Sequence, residues 1–235
     1  MSGPLDDPRI ARGMQAQLET RRKRIAAGDA PLGWKVGFGA PAAMTKFGIT
    51  APLVGYLMQS GRVASGGNAS LAGWTKPVAE PEIAIHLGCD VAGGSDEALV
   101  ETAITAMGPA IELADLDSPP EDVEAILAAN IYQRHVVVGP ASAVGAGGRI
   151  DGLCGRVIRR GGEVARTADL EANTGRLVAI VRHVADLLAA CGETLRAGEF
   201  IIAGSVVAPL FIESGDDEIA FALDPIGEAS VRFTR

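Results

Sequence analysis

An α+β domain built around a mixed, curled β core is the fold class this sequence predicts, on three observations. Segments with strand periodicity do not alternate with helical ones as they would in a doubly wound sheet. The 30 glycines and 13 prolines are scattered among apolar runs, which implies many turns and no low-complexity tract. A chain of 235 residues that is 48% hydrophobic, with a mean hydropathy of +0.22, can bury a sizeable core.

The elements follow in order. Residues 8–27 form an amphipathic helix with Ile10, Met14, Leu18 and Ile25 on one stripe and Gly28 as its stop. A short strand covers Gly33–Phe38, and Pro41 to Phe47 form a helical segment closed by Gly48. Strands are expected at Leu53–Leu57 and Glu82–Leu87, then a helix from Glu97 to Met107 leading into the strand Ala110–Ala114. Ser118-Pro119-Pro120-Glu121 combines a Ser cap, a Pro at the first helical position and a Glu three residues on, starting a helix that runs to Asn130. His135–Gly139 is a strand, and residues 153–168 form a hairpin turning at Arg160-Gly161-Gly162-Glu163. The longest helix spans 174–191, capped by Asn173 and stopped by Gly192. Strands near 200–203, 218–223 and 229–234 complete the chain.

A net charge of −8 and an isoelectric point near 4.9 argue against nucleic acid or an anionic membrane as the main partner. The one basic cluster, Arg21-Arg22-Lys23-Arg24, follows Glu19 on a helical pattern and is read as a solvated face. Cys89, Cys154 and Cys191 form no CxxC, so neither a disulfide framework nor a zinc site is indicated. The N-terminus lacks a basic region followed by an apolar run, and no stretch has the length of a membrane span, so a soluble cytoplasmic protein is expected.

The chemistry concentrates in Lys76-Pro77-Val78-Ala79-Glu80-Pro81-Glu82-Ile83-Ala84-Ile85-His86-Leu87. Ile83, Ile85 and Leu87 alternate with Glu82, Ala84 and His86, and Glu80 shares the parity of Glu82. Two carboxylates then leave one face roughly 6.5–7 Å apart. Burying them is costly unless a cation sits between them, and hard oxygen ligands suit a magnesium-like ion. The competing reading is a solvent-facing edge strand with two charges. Glu112, in Pro109-Ala110-Ile111-Glu112-Leu113-Ala114, is a third strand carboxylate, and a converging trio strengthens the metal reading.

Several segments together resemble one family. Gly33-Trp34-Lys35-Val36-Gly37 is similar to its Gly-Tyr-Lys-Ile-Gly, Pro77 to Glu82 to its Pro-x-x-Glu-x-Glu, and Ala110-Ile111-Glu112 to its Ala-Leu-Glu. Asn130 and Gly139 fit its Asn-Ala-Ser…Gly segment. Ala203-Gly204-Ser205, Gly215-Asp216 and Gly227 through Phe233 resemble its C-terminal Ser-Gly-Ser, Pro-Gly-Asp and Gly-x-x-Ser-Val-x-Phe. Their order and spacing, from about residue 31 to the end, resemble the 2-oxopent-4-enoate hydratase and 4-oxalocrotonate decarboxylase family of the fumarylacetoacetate hydrolase superfamily. The resemblance implies a fumarylacetoacetase C-terminal-like mixed β-sheet roll with flanking helices over residues 51–235, preceded by an N-terminal helical segment over 1–50.

It also implies Mg or Mn held by Glu80, Glu82 and Glu112, and a small 2-oxo or 2-hydroxydienoic acid chelating the ion through its C1 carboxylate and C2 oxygen. Lys35 would reach the substrate carboxylate or relay a proton, and Gly204 and Ser205 would supply donors. Three positions depart from the pattern: Leu53 replaces an acid, Tyr132 a Ser, and Val207 a Thr. Tyr132, Arg134 and His135 then become candidates for a different acid–base set or a distal anion clamp, and Leu53 and Val207 for a substrate-contacting wall that prefers an apolar tail. His135 is equally readable as a core histidine, and His86 as an outer partner of the glutamates. Hydration of a 2-hydroxy-2,4-dienoate leads, with decarboxylation of a 2-oxo-3-enedioate or acylpyruvate C–C cleavage as alternatives. A catalytically inactive 2-oxo acid binding or partner subunit is the alternative of another class. A homo-oligomer, with a pathway enzyme as a further associate, is expected.

Overall fold

The structure is a computed structural model describing residues 3–117 and 122–235. In chain order its elements are α1 (Pro8–Ala26), β1 (Pro31–Gly37), α2 (Pro41–Phe47), β2 (Leu53–Met58), β3 (Arg62–Ala64), β4 (Gly67–Ser70), β5 (Pro77–Leu87), α3 (Glu97–Ala103), β6 (Ile104–Asp115), α4 (Val123–Ala128), β7 (Gln133–Val138), β8 (Cys154–Arg159), β9 (Gly162–Thr167), α5 (Leu177–Ala190), β10 (Phe200–Ser205), β11 (Leu210–Phe211), β12 (Glu218–Asp224) and β13 (Gly227–Thr234). The larger sheet runs β2-β1-β10-β5-β6-β7-β3, with β11 added on β5, and the smaller runs β4-β13-β12-β8-β9. Parallel pairs (β1 with β10, β3 with β7, β4 with β13) sit among antiparallel ones, so both sheets are mixed. This is the expected α+β architecture of curled mixed sheets with flanking helices.

Helix α1 starts at Pro8 because the Asp7 carboxylate accepts the Arg9 N–H at 2.9 Å. Met14 and Leu18 are buried as expected, whereas Ile25 is exposed and the stripe is completed by two polar residues, Gln17 and Arg21. Gln17 donates through Nε2 to Val54 O (3.1 Å) and Leu127 O (2.9 Å), tying α1 to β2 and α4. Arg21 is therefore not on a solvated face. It lies 4.6 Å from the Trp34 ring centre and pairs with Glu193 (3.5 Å) and Glu199 (3.8 Å), and Trp34 Nε1 donates to that same Glu199. Gly13 allows the close approach of α1 to α4: a Cβ there would stand 2.6 Å from Leu127 Cβ.

Three helix ends differ from the sequence reading. α3 stops at Ala103, where β-branched Ile104 and Thr105 already belong to the twelve-residue β6. The expected start at Ser118–Glu121 lies outside the described residues, and α4 is capped by Asp122, which accepts from Glu124 N at 2.9 Å. α5 begins at Leu177, after Gly175 at φ 80°, and Asn173 instead donates to Val206 O at 3.3 Å. The β8–β9 hairpin turns through Arg160 and Gly161, both left-handed as a two-residue turn requires.

The large sheet sets the parity of its side chains. Ile83, Ile85 and Leu87 of β5 enter the main core, which also takes Leu177, Val181, Val184 and Leu188 of α5. The opposite face is lined at one end by Leu57, Ala84, Ala110, Val136, Phe200 and Ile202, and at the other by charged residues. β1 lies between β2 and β10 in this sheet, which places Lys35 on the same sheet as β5 and β6. Among the described residues, no helix is long and apolar enough to cross a membrane.

Candidate metal centre and its cavity

The register of the central strands gathers the charges. Glu80 lies directly opposite Glu112 across β5 and β6, so both leave the sheet on one face, and Glu82 follows by parity. Lys35 pairs with Ile202 and Ile202 with Ala84, which puts the lysine on that same face two strands away. One carboxylate oxygen from each of Glu80, Glu82 and Glu112 lies within 4.8 Å of the others, a spacing that a single ion can bridge.

Each group is held. Lys35 Nζ donates to Glu112 Oε1 and, at 3.2 Å, to Ile131 O. Gly204 N–H donates to Glu82 Oε2 at 2.7 Å, so this amide orients a glutamate and is not spare for substrate. The Glu112 Oε2 atom is buried and has no hydrogen-bond partner. A buried carboxylate oxygen without a partner, in a cluster with two more carboxylates, suits a divalent cation as ligand. Burial and the Glu112 charge, partly offset by Lys35, push Glu80 up to about 7. Burial and the neighbouring Glu112 and Glu80 push Glu82 well above its ordinary range, and burial raises Glu112 against the pull of Lys35. With all three ionised and Lys35 charged the site carries −2, which a divalent ion neutralises.

These charges stand at one end of a cavity of about 580 Å³. Its wall includes Lys35, Glu80, Glu82, Tyr132, Gly204, Ser205 and Val207, all sequence candidates, together with residues that sequence reasoning missed: Phe38, Asn173 and Thr174, and the β11 strand residue Phe211. Nothing in the sequence marks Phe211, since a two-residue strand leaves no periodicity.

The structure does not bring three candidates to this cavity. His135 pairs with Leu113, whereas Val136 pairs with Glu112, so His135 leaves the opposite face and stacks on Trp74 at 5.8 Å. Arg134 falls where the β6–β7 register shifts between Leu113 and Ala114, and turns out to Asp117 (2.7 Å) and Asp115 (3.7 Å), so no distal anion clamp forms there. Leu53, opposite Gly37 at the start of β2, lines a separate cavity with His183 and Leu187. His86 shares the glutamate face, but four residues beyond Glu82 it is roughly 13 Å along the strand, where its ring meets Phe200.

Backbone strain borders the site. Asn130, Ile131 and Tyr132 all have positive φ (56°, 52° and 60°), a left-handed run rare for non-glycine residues and most so for β-branched Ile131. The Asn130 amide pins it, accepting from Tyr56 N at 2.8 Å and donating to Tyr56 O at 3.0 Å.

Three glutamates and a lysine on the face of a curled mixed sheet, opening into a largely apolar cavity, form a candidate metal site in an enzyme of the fumarylacetoacetate hydrolase fold. No protein-family model matches the chain. A 4-oxalocrotonate decarboxylase from a Pseudomonas species is 31% identical over 200 residues, covering 82% of this chain and 75% of that protein. A 2-hydroxyhexa-2,4-dienoate hydratase from Comamonas testosteroni is 28% identical over 92% of this chain and 83% of that protein. The structure of 4-oxalocrotonate decarboxylase from Pseudomonas putida G7, complexed with magnesium and adipate, superposes with a TM-score of 0.86 at 26% identity, over 99% of this chain and 90% of that one. The chain belongs to the 4-oxalocrotonate decarboxylase and 2-oxopent-4-enoate hydratase family.

Proposed function

We infer that the protein is a divalent-metal-dependent lyase that hydrates a small 2-hydroxy-2,4-dienoate, or its 2-oxo-enoate tautomer, to a 4-hydroxy-2-oxo acid. The observation that carries this reading is the Glu80, Glu82 and Glu112 cluster with its orphaned oxygen at the charged end of a largely apolar cavity. The three glutamates would hold Mg or Mn, and the bound ion would neutralise negative charge developing on the substrate's C2 oxygen.

The chain's own residues supply the rest. Lys35 offsets one carboxylate charge and holds Glu112 in place. Gly204 N–H fixes Glu82, and the Ser205 hydroxyl, which donates to Val207 O at 2.7 Å, stabilises the turn that aims this amide. Among the described residues, Tyr132 is the one titratable side chain on the cavity wall besides Lys35, Glu80 and Glu82, and is the candidate proton donor to the substrate carbon chain. Apolar walls exclude bulk water, which strengthens these interactions.

The test incubates purified protein with Mg or Mn and a 2-hydroxy-2,4-dienoate, following loss of dienol absorbance, with and without Tyr132→Phe, which should slow turnover about hundredfold or more. No turnover with any dienoate or 2-oxo-enedioate rejects the enzyme reading. Decarboxylation of a 2-oxo-3-enedioate is the second reading, favoured by the relatives named as decarboxylases. CO₂ release from the dicarboxylate without hydration of the dienoate would select it. The protein is further proposed to self-associate, and a monomeric mass by light scattering at micromolar concentration would reject that.

A further inference from the structure

The cavity is charged at one end only. Lys35, Glu80 and Glu82 are the only charged groups on its wall among the described residues, and Lys35 is committed to Glu112 and Ile131 O. Away from them the wall is formed by Phe38, Val78, Ala114, Leu116, Val207 and Phe211. Val78 and Ala114 are partners across β5 and β6, one pair beyond Ala79 and Leu113 from the Glu80–Glu112 pair, so the apolar wall continues the same sheet outward from the charges. The polar wall residues nearby are engaged with the backbone: Asn173 donates to Val206 O, Thr174 to Leu170 O and Gly175 O, and Ser205 to Val207 O.

Among the described residues, Arg134 pairs with Asp117 and Asp115, and Arg159 and Arg160 with Asp216 and Glu213. The exposed Lys76 ammonium lies 4.9 Å from the Phe211 ring centre and outside the cavity lining. A substrate carboxylate placed against these six side chains would lose water and meet no cation on the wall. A cavity of about 580 Å³ also exceeds what a five- or six-carbon acid fills.

We propose that the Phe38, Val78, Ala114, Leu116, Val207 and Phe211 wall is a tail subsite, and that the substrate is a 2-oxo or 2-hydroxydienoic monocarboxylate with an apolar alkyl or aryl tail. This rests on the metal-dependent 2-oxo acid reading above and specifies its substrate class. A dicarboxylate is disfavoured.

The experiment measures binding, so that chemistry and recognition are read separately. Protein loaded with Mg is titrated calorimetrically with 2-oxohexanoate, 4-phenyl-2-oxobutanoate and 2-oxoadipate, and each titration is repeated with the metal removed. The two apolar acids should bind at least about tenfold more tightly than 2-oxoadipate, and only with metal present. Val207→Arg, which sets a cation in the half-exposed wall, should reverse the order. Metal-dependent binding in which 2-oxoadipate equals or exceeds the apolar acids overturns the tail subsite and leaves the metal-dependent reading standing. A folded Val207→Arg protein with unchanged preference also overturns the subsite. Failure of all three acids to bind in the presence of Mg overturns both.

Discussion

Lys35 shows how much one residue decides. It is 1% exposed, and its ammonium stands with the two buried carboxylates Glu82 and Glu112 and the half-buried Glu80, donating to Glu112. Removing one partner of such a buried pair strands the other, a loss of roughly 3–5 kcal/mol. Lys35→Met should therefore destabilise the metal-free protein by about that amount in urea unfolding; stability equal to wild type would mean the pair contributes nothing to folding. The glutamates were legible in the sequence because strand parity alone puts Glu80 and Glu82 on one face, and an isolated Glu112 in an apolar strand demanded a partner. The errors are of a different kind. Placing His135 and Arg134 required the β6–β7 register and its shift, which depend on pairing between segments distant in sequence and leave no local trace. Arg21 was misread because a basic run on a helix looks solvated until a particular aromatic ring and two acids, far away in the chain, are known to lie beneath it.

Among elements, the segment joining α4 to β7 is the most constrained. Each non-glycine residue held left-handed costs roughly 1–2 kcal/mol, and Asn130, Ile131 and Tyr132 are three in succession. The gain is placement: Ile131 O receives Lys35, and Tyr132 enters the cavity wall. Asn130 offsets this strain through its paired hydrogen bonds to Tyr56, and its side chain tolerates the left-handed region better than most. Asn130→Ala should lower stability by about 2–3 kcal/mol and reduce turnover with it; unchanged turnover would show that the turn does not position the site. A second junction ties the β8–β9 hairpin to the loop before β12. There, buried Asp216 accepts from Arg159 at 2.8 and 2.6 Å, from Arg160 at 2.9 Å and from Glu213 N at 2.7 Å. Burial acts to raise its carboxyl, but these donors win and lower it from 3.8 to about 2. A depressed folded-state value stabilises above the unfolded value, and that stability is lost as pH falls through the folded one. Asp216→Asn should thus be less stable than wild type at neutral pH, with the gap closing by about 2 kcal/mol between roughly pH 4 and pH 2. A gap that is constant with pH would mean that Asp216 is not held ionised. The family resemblance marked Asn130 and Asp216 but not what they do, because left-handed backbone at non-glycine residues and a long-range arginine clamp have no compositional signature.

At the scale of the whole molecule, the charged cluster opposes the fold that presents it. Glu82 and Glu112 are almost fully buried, and their carboxyls are raised because the folded chain penalises their charged forms, so the metal-free protein folds with protons retained there or with repulsion. A divalent ion held there would convert that penalty into attraction and would bind only the folded arrangement, because the three glutamates converge through the pairing of β5 with β6. Its stabilisation follows mass action, about 2.7 kcal/mol at a free concentration one hundred times the dissociation constant. For a chain of this size that raises the thermal midpoint by roughly 5–10 °C. Scanning calorimetry with Mg, with Mn and with chelator should show this rise in wild type and lose most of it in Glu80→Gln, Glu82→Gln and Glu112→Gln. Glu80→Gln and Glu82→Gln should fold without metal at least as stably as wild type, since a neutral amide relieves the carboxylate repulsion while keeping the shape, whereas Glu112→Gln strands the buried Lys35 ammonium and should be less stable without metal. An equal rise in a Gln variant would place the ion elsewhere. No rise in wild type would mean that the three carboxylates are a protonated structural cluster and not a metal centre.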